Sequence, residues 1–403
     1  MPVIMSELLK KINPVMEQLQ PGSIRAFDEQ VSDIEDIIKL TLGEPDFDTP
    51  EKVKAAAIAS VENNESHYAK TPGNLELRQA MANFLARKYD LHYAADNEIL
   101  VTLGATEAIQ ITLATILEAG DEVIIPTPTF PLYESDVISL GAIPVFVNTQ
   151  SDGFVLTPER LAATLAAHPT AKCLVFNYPS NPTGVTYTGA QLAALAAIIK
   201  QYDIFVMSDE IYSELTYTQQ HVSMAQYLPE QTILISGASK AYAMTGYRIG
   251  LLAAPAALVQ HITKLHQYAV TTHVNSAMAA ATVAFNECDA EIATMRAAYQ
   301  ARREMLVQAF TEMGLSVASP DGAFYLFIKI PAEFGDDDFK FAVTLAQEAK
   351  VALIPGSSFG PGGEGYVRLS YAASETKLNT AVTRIQTYLA ANKNDEGAQY
   401  ARI

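Results

Sequence analysis

From residue 99 onward the chain alternates between short apolar runs and longer stretches with helical spacing. Residues 99–103, 123–125, 144–147, 172–177, 204–207 and 232–235 are dominated by Ile, Leu, Val, Phe and Met and read as strands. Between two of them, Leu192, Leu195, Ala196 and Ile199 recur on one face of a 3.6-residue period. Strands separated by helices of this length form βαβ units with mainly parallel pairing. The predicted fold class is α/β, with a large unit built on a mainly parallel sheet flanked by helices.

Upstream, Thr49, Pro50 and Glu51 supply a hydroxyl cap, a first-turn proline and an acid at the positive end of a helix over 51–63. A second helix is predicted over 75–89, after a loop at 67–73 that contains Tyr68. Gly43 and Pro45 mark a sharp loop. After about residue 286 the rhythm changes to a long helix over 290–313, a strand over 322–330, a helix over 339–350, a strand over 367–371 and a last helix ending near 391. That order suits a smaller α+β unit. The expected organisation is an arm over 1–40 belonging to the smaller unit, a large unit over 41–288, the smaller unit over 289–391 and a loose polar tail over 392–403.

A length of 403 residues favours two lobes over one core. The formal charge of −18 argues against a nucleic-acid partner, whose phosphates need Lys and Arg. Cys173 and Cys288 form neither a metal spacing nor a disulfide framework, which fits a reducing, cytoplasmic setting. The first residues lack the basic-then-apolar pattern of a signal peptide, and no apolar run is long enough for a membrane span.

The candidate chemistry sits where the strands end. Ligands of parallel α/β sheets bind beyond the carboxyl ends of the strands. There the sequence places Gly104, Ala105 and Thr106, then Asn181, then Asp209 with Tyr212, then Ser239 with Lys240. Each alone is a turn or a helix cap; together, each closes its own strand. Lys240 lies between the apolar runs 232–235 and 249–253, and a buried lysine is paired or reacting. A Schiff base is one chemistry that uses a desolvated amine; a surface lysine at a loop edge is the alternative. Backbone N–H groups at a helix start near Thr106 suit a phosphate, and Arg248 suits a bidentate clamp on it.

Five motifs, in order, give the chain a family likeness: L-G-E-P-D-F at 42–47, N-P-T-G at 181–184, D-E-I-Y at 209–212, S-K-x-x-x-M-T-G-x-R at 239–248 and Y-V-R-L-S-Y at 366–371. The sequence resembles the class I, fold-type I aminotransferases that depend on pyridoxal 5′-phosphate, over nearly its whole length. The likeness is greatest to aromatic-amino-acid and N-acetyl-diaminopimelate aminotransferases of Gram-positive bacteria. The resemblance implies a seven-stranded sheet in the large domain, no metal, and a homodimer.

It also implies roles. Lys240 would carry the cofactor as an internal aldimine and then move the proton. Asp209 would face the ring nitrogen. Tyr212 and Asn181 would donate to the ring oxygen, and Phe130 would stack on the ring. Gly104, Ala105, Thr106, Ser239 and Arg248 would line the phosphate, joined by Tyr68 from the neighbouring subunit. Arg368, with Asn181, would clamp the substrate carboxylate, and Gly43 would let the arm close over it. Three positions depart from the family pattern around the cofactor. Gly237 stands where many relatives place a phosphate-binding Ser, so Ser239 or Ser236 must compensate. Phe130 and Tyr247 stand where larger aromatics are usual, and plain core packing is the alternative for both.

Aspartate-specific relatives in one subgroup carry a second arginine past the lysine. None occurs between Arg248 and Arg296. The expectation is transamination of an L-amino acid, aromatic favoured, with 2-oxoglutarate as acceptor, by a ping-pong route. Arg25 or Lys70 is available for the acceptor's distal carboxylate. The alternatives are an N-acetyl-diaminopimelate, broad-specificity or aspartate aminotransferase, and, further off, a β-C–S lyase or a ligand-sensing aminotransferase-like protein.

Overall fold

A computed structural model describes residues 8–19 and 21–392. The tail expected over 392–403 lies outside the described residues except for Asn392, which ends the last helix, Glu375–Asn392.

A two-residue strand, β1 (Ile38–Lys39), precedes the main sheet. That sheet comprises β2 (Ile99–Leu103), β3 (Glu122–Thr127), β4 (Ile143–Asn148), β5 (Cys173–Asn177), β6 (Phe205–Asp209), β7 (Thr232–Gly237) and β8 (Ile249–Ala253). Four strands follow: β9 (Tyr325–Lys329), β10 (Val351–Ala352), β11 (Ile354–Pro355) and β12 (Tyr366–Ser370). The order in the seven-stranded sheet is β2-β8-β7-β6-β5-β3-β4. Pairing is parallel from β7 through β4, while β8 runs antiparallel to both β7 and β2.

Side-chain alternation along the strands sends apolar residues to cores on both faces. Val123, Ile125, Cys173, Val175 and Met207 point into one cluster, with Ile109 and Leu113 of helix Gly104–Ile116. Ile124, Leu174, Phe176 and Val206 point into the other, with Leu192, Leu195 and Ile199 of helix Gly189–Ile199. Each such burial contributes roughly 1.5–3 kcal/mol, so both helical layers are fixed to the sheet. A separate cluster joins β9 and β12 to helices Asp289–Glu312, Asp338–Ala349 and Glu375–Asn392, and includes Phe27 and Leu40 from the first forty residues. There β1 pairs with β10, and β12 lies between β11 and β9.

Boundaries differ from the sequence reading mostly by one or two residues. The strand expected over 322–330 begins only at Tyr325. Ala323 has φ +55°, which breaks the extended run. Helices Leu132–Ser139, Ala256–Val270 and Asn275–Glu287 escaped the pattern reading. The last is alanine-rich and has only a weak apolar stripe to mark a buried face.

Candidate active site

The carboxyl ends of β2, β5, β6 and β7 open into one cavity of about 630 Å³, whose walls also include Arg368 of β12 and residues 42–44 of the entry segment. Lys240 sits on a four-residue helix, Ala238–Ala241, directly after β7. Its amine donates to the carbonyl oxygen of Gly43 at 2.5 Å and lies 5.8 Å and 5.9 Å from the ring centres of Tyr212 and Phe324. Burial lowers its pKa from the usual lysine value to about 8, and the cations Arg248 and Arg368 press the same way.

Asp209, the last residue of β6, is 4% exposed. One oxygen accepts from the Tyr133 hydroxyl at 2.7 Å and the other from the Ile211 amide at 3.1 Å. Burial pushes this carboxyl up to about 6, against the pull of those two donors. Tyr212 shares a hydrogen bond of 2.7 Å with Tyr325. Desolvation lifts the Tyr212 hydroxyl well above the normal phenol range, so it remains a donor across ordinary pH.

Arg368 is 1% exposed. It donates to the Asn181 side-chain oxygen at 2.8 Å and to the Thr41 carbonyl, and its guanidinium lies 4.6 Å from the ring centre of Tyr325 and 4.9 Å from that of Phe359. Its Nε is buried with no partner among the described residues. An unpaired buried donor on a cation suits a carboxylate. Gly43 has a steric reason here: a Cβ would stand 2.0 Å from the Tyr325 hydroxyl oxygen.

The anion-binding end is equally specific. Helix Gly104–Ile116 begins at the end of β2, and its first turn leaves backbone N–H groups without helical partners. Gly104 has φ +75°, and a Cβ there would meet Arg248 Nη2 at 2.4 Å. Arg248 itself holds φ +58°, an uncommon left-handed conformation for a side-chain-bearing residue. Its guanidinium donates to the carbonyls of Thr245 at 3.0 Å and Leu103 at 3.3 Å. The missing side chain at 104 therefore admits the guanidinium to the helix start.

Of the expected residues, Gly43, Ala105, Thr106, Phe130, Asn181, Asp209, Tyr212, Ser239, Lys240, Arg248 and Arg368 line this one cavity. Gly104 does not line it, but its missing side chain makes room for the Arg248 guanidinium that does. Ser239 lines it and Ser236 does not, so Ser239 is the hydroxyl available opposite Gly237. At Gly237 a Cβ would lie 2.6 Å from the Ile249 carbonyl oxygen, which leaves no space for the serine of other chains. Tyr247 packs against a core cluster instead, as the packing alternative holds. Tyr68 lies outside this cavity, 87% exposed, beside a separate surface hollow with His67 and Asn275. Arg25 lines the cavity; Lys70 does not.

Sequence reasoning missed Tyr133 and Tyr325. Tyr133 is the second residue of helix Leu132–Ser139, an element that was not anticipated. Tyr325 looked like one more aromatic in a core strand.

The donor set fits pyridoxal phosphate. A depressed-pKa amine, a buried carboxylate, phenol and amide donors, and an arginine at a helix start correspond to its aldehyde, ring nitrogen, ring oxygen and phosphate. Residues 35–385 match the family described as aminotransferase class I and II. The chain is 44% identical over 378 residues to a protein named "Probable N-acetyl-LL-diaminopimelate aminotransferase" from Bacillus subtilis, covering 94% of this chain and 95% of that one. It superposes on the crystal structure of aromatic aminotransferase from Pyrococcus horikoshii with a TM-score of 0.86 at 36% identity, covering 91% of this chain and 99% of the other. Aspartate aminotransferase from Thermus thermophilus with maleate gives 0.88 at 35% identity, covering 93% and 99%. The chain belongs to the class I and II aminotransferases and has their fold-type I architecture. It is an aminotransferase of a pyridoxal-phosphate-dependent family.

Proposed function

We propose that this chain binds pyridoxal phosphate at Lys240 and transfers the amino group of an aromatic L-amino acid to 2-oxoglutarate, both half-reactions using one cavity. The observation that carries the reading is the convergence of Lys240, Asp209 and Arg368 on that cavity, with the lysine amine half-neutral near pH 8. When bound, the cofactor supplies an aldehyde for the amine and a conjugated ring that accepts the electron pair freed at the substrate α-carbon. Arg368 binds the substrate carboxylate and so orients the α-carbon. Lys240 Nζ would take the substrate α-proton and deliver it to the cofactor carbon that bore the aldehyde. Asp209 holds a proton on the ring nitrogen, and Tyr212 and Asn181 steady the ring oxygen by donation. Ala105, Thr106, Ser239 and Arg248 hold the phosphate.

Leu42, Ile109, Phe130 and Leu132 give the cavity an apolar wall suited to an aromatic side chain, and Arg25 gives it an exposed cation for a distal carboxylate. Residues 41–288 act as the cofactor-carrying domain, with 289–391 and the arm over 1–40 as the second. Two copies pair, Tyr68 of each serving the other's phosphate; its 87% exposure supports that use.

Single-turnover half-reactions with a panel of amino acids, followed by cofactor absorbance, test the proposal. Phenylalanine and tyrosine should react fastest; if aspartate far outpaces them, the aromatic assignment fails. A second reading, N-acetyl-LL-diaminopimelate as donor, is favoured by Arg25 at the cavity and by the 44%-identical relative. That compound belongs in the same panel.

A further inference from the structure

Glu107 sits awkwardly for an anion site. It is one residue past Thr106 on the first turn of helix Gly104–Ile116, and it is only 8% exposed. Its Oε2 accepts from the Leu103 amide, so the carboxylate folds back over the helix start. A helix N-terminus attracts one negative charge, but a second one there repels the first. A bare carboxylate at 107 would oppose any phosphate held by Ala105, Thr106 and Arg248.

His266 resolves the conflict. It lies on helix Ala256–Val270 with 0% exposure. Its Nδ1 is 2.8 Å from Glu107 Oε1, and its Nε2 is 2.9 Å from the Thr71 carbonyl oxygen. A carbonyl oxygen only accepts, so Nε2 carries a hydrogen. Two lone pairs do not face each other at 2.8 Å in a buried site, so a proton also lies between Nδ1 and Glu107. Whichever atom owns that proton, the pair has no net charge. The same ring ties the loop that carries Tyr68 to the helix that begins the cradle.

We infer that His266 is a positioning residue for the cofactor phosphate: it cancels the charge of Glu107 and fixes the cradle helix against the Thr71 loop. This rests on the phosphate cradle proposed above. The role is electrostatic, acting through Glu107, since His266 itself does not line the cavity.

The test is to measure dissociation constants of the full-length apoprotein for pyridoxal phosphate and for unphosphorylated pyridoxal, in wild type, H266Q, E107Q and H266Q/E107Q. H266Q should weaken pyridoxal phosphate by about tenfold while changing pyridoxal by less than about twofold, and the double variant should regain most of the loss. E107Q alone should bind pyridoxal phosphate at least as tightly as wild type, and it carries the test if H266Q does not fold. Equal weakening of both ligands by H266Q, or no recovery in the double variant, overturns the inference; so does a phosphate-selective loss in E107Q. A wild-type chain that holds pyridoxal phosphate no tighter than pyridoxal overturns the cradle itself, and the inference with it. Wild type that prefers the phosphorylated ligand, with H266Q unchanged, overturns the inference alone.

Discussion

The Tyr133 hydroxyl donates to Asp209 at 2.7 Å, and neither residue is more than 4% exposed. A neutral donor on a buried carboxylate stabilises its ionised form, which is the form that can hold a proton on a ring nitrogen. Removing the donor in Y133F should raise the Asp209 pKa above about 6 and lower kcat by roughly tenfold, the scale of a hydrogen bond to a charged group. The alkaline shift of the acidic limb in a kcat–pH profile is the check, because a packing defect alone would not move it.

The raised pKa of Asp209 has a sign for stability. Between the ordinary carboxyl value near 3.8 and about 6, the unfolded chain ionises and the folded one does not. This group therefore favours folding below that window and loses its contribution as pH rises through it. D209N should stabilise the apoprotein at neutral pH by about 1–2 kcal/mol while abolishing transamination. The gain is held below the full linkage value because an amide oxygen accepts at one position, and both Tyr133 and Ile211 donate here. Denaturant melts of the two apoproteins at the same pH measure it.

Lys240 offers a pH dependence of the opposite kind. Its amine loses its proton near pH 8, so the reactive fraction grows as pH rises to that value and then levels. The initial rate at which apoprotein takes up pyridoxal phosphate should climb about tenfold per pH unit below 8 and flatten above it. An ordinary exposed lysine would keep climbing towards the usual lysine value of 10.5. K240A should reduce turnover on the order of 10³-fold or more and leave no lysine adduct after borohydride treatment.

Arg368 reads as a bidentate clamp that lysine cannot imitate. R368K should raise KM for the amino acid about a hundredfold with a smaller change in kcat, and R368Q should do more. Steady-state kinetics with both half-substrates separate the two parameters.

The strand ends were the legible part of this sequence. Lys240, Asp209, Asn181 and Thr106 follow apolar runs, and the parallel rhythm of those runs already implied that they meet at one edge. What periodicity did not show was direction: nothing in residues 249–253 says that β8 runs antiparallel, because pairing sense depends on how the chain returns. Tyr133 and His266 were hidden for a related reason. Their partners lie 76 and 159 positions away in sequence, and only packing brings a phenol or an imidazole to a distant carboxylate. Gly237 shows the converse. It looked like a lost phosphate ligand, whereas the neighbouring strand leaves it no room for any side chain.

Arg368 touches the Thr41 backbone and the Asn181 side chain, segments far apart along the chain, from a strand in a third. The residue that would recognise the incoming carboxylate is thus also where these three segments are stitched together. Drift in ligand preference at that position cannot be separated from drift in architecture, so new specificities in this scaffold should arise at the apolar wall, around Leu42 and Ile109, while the guanidinium stays put.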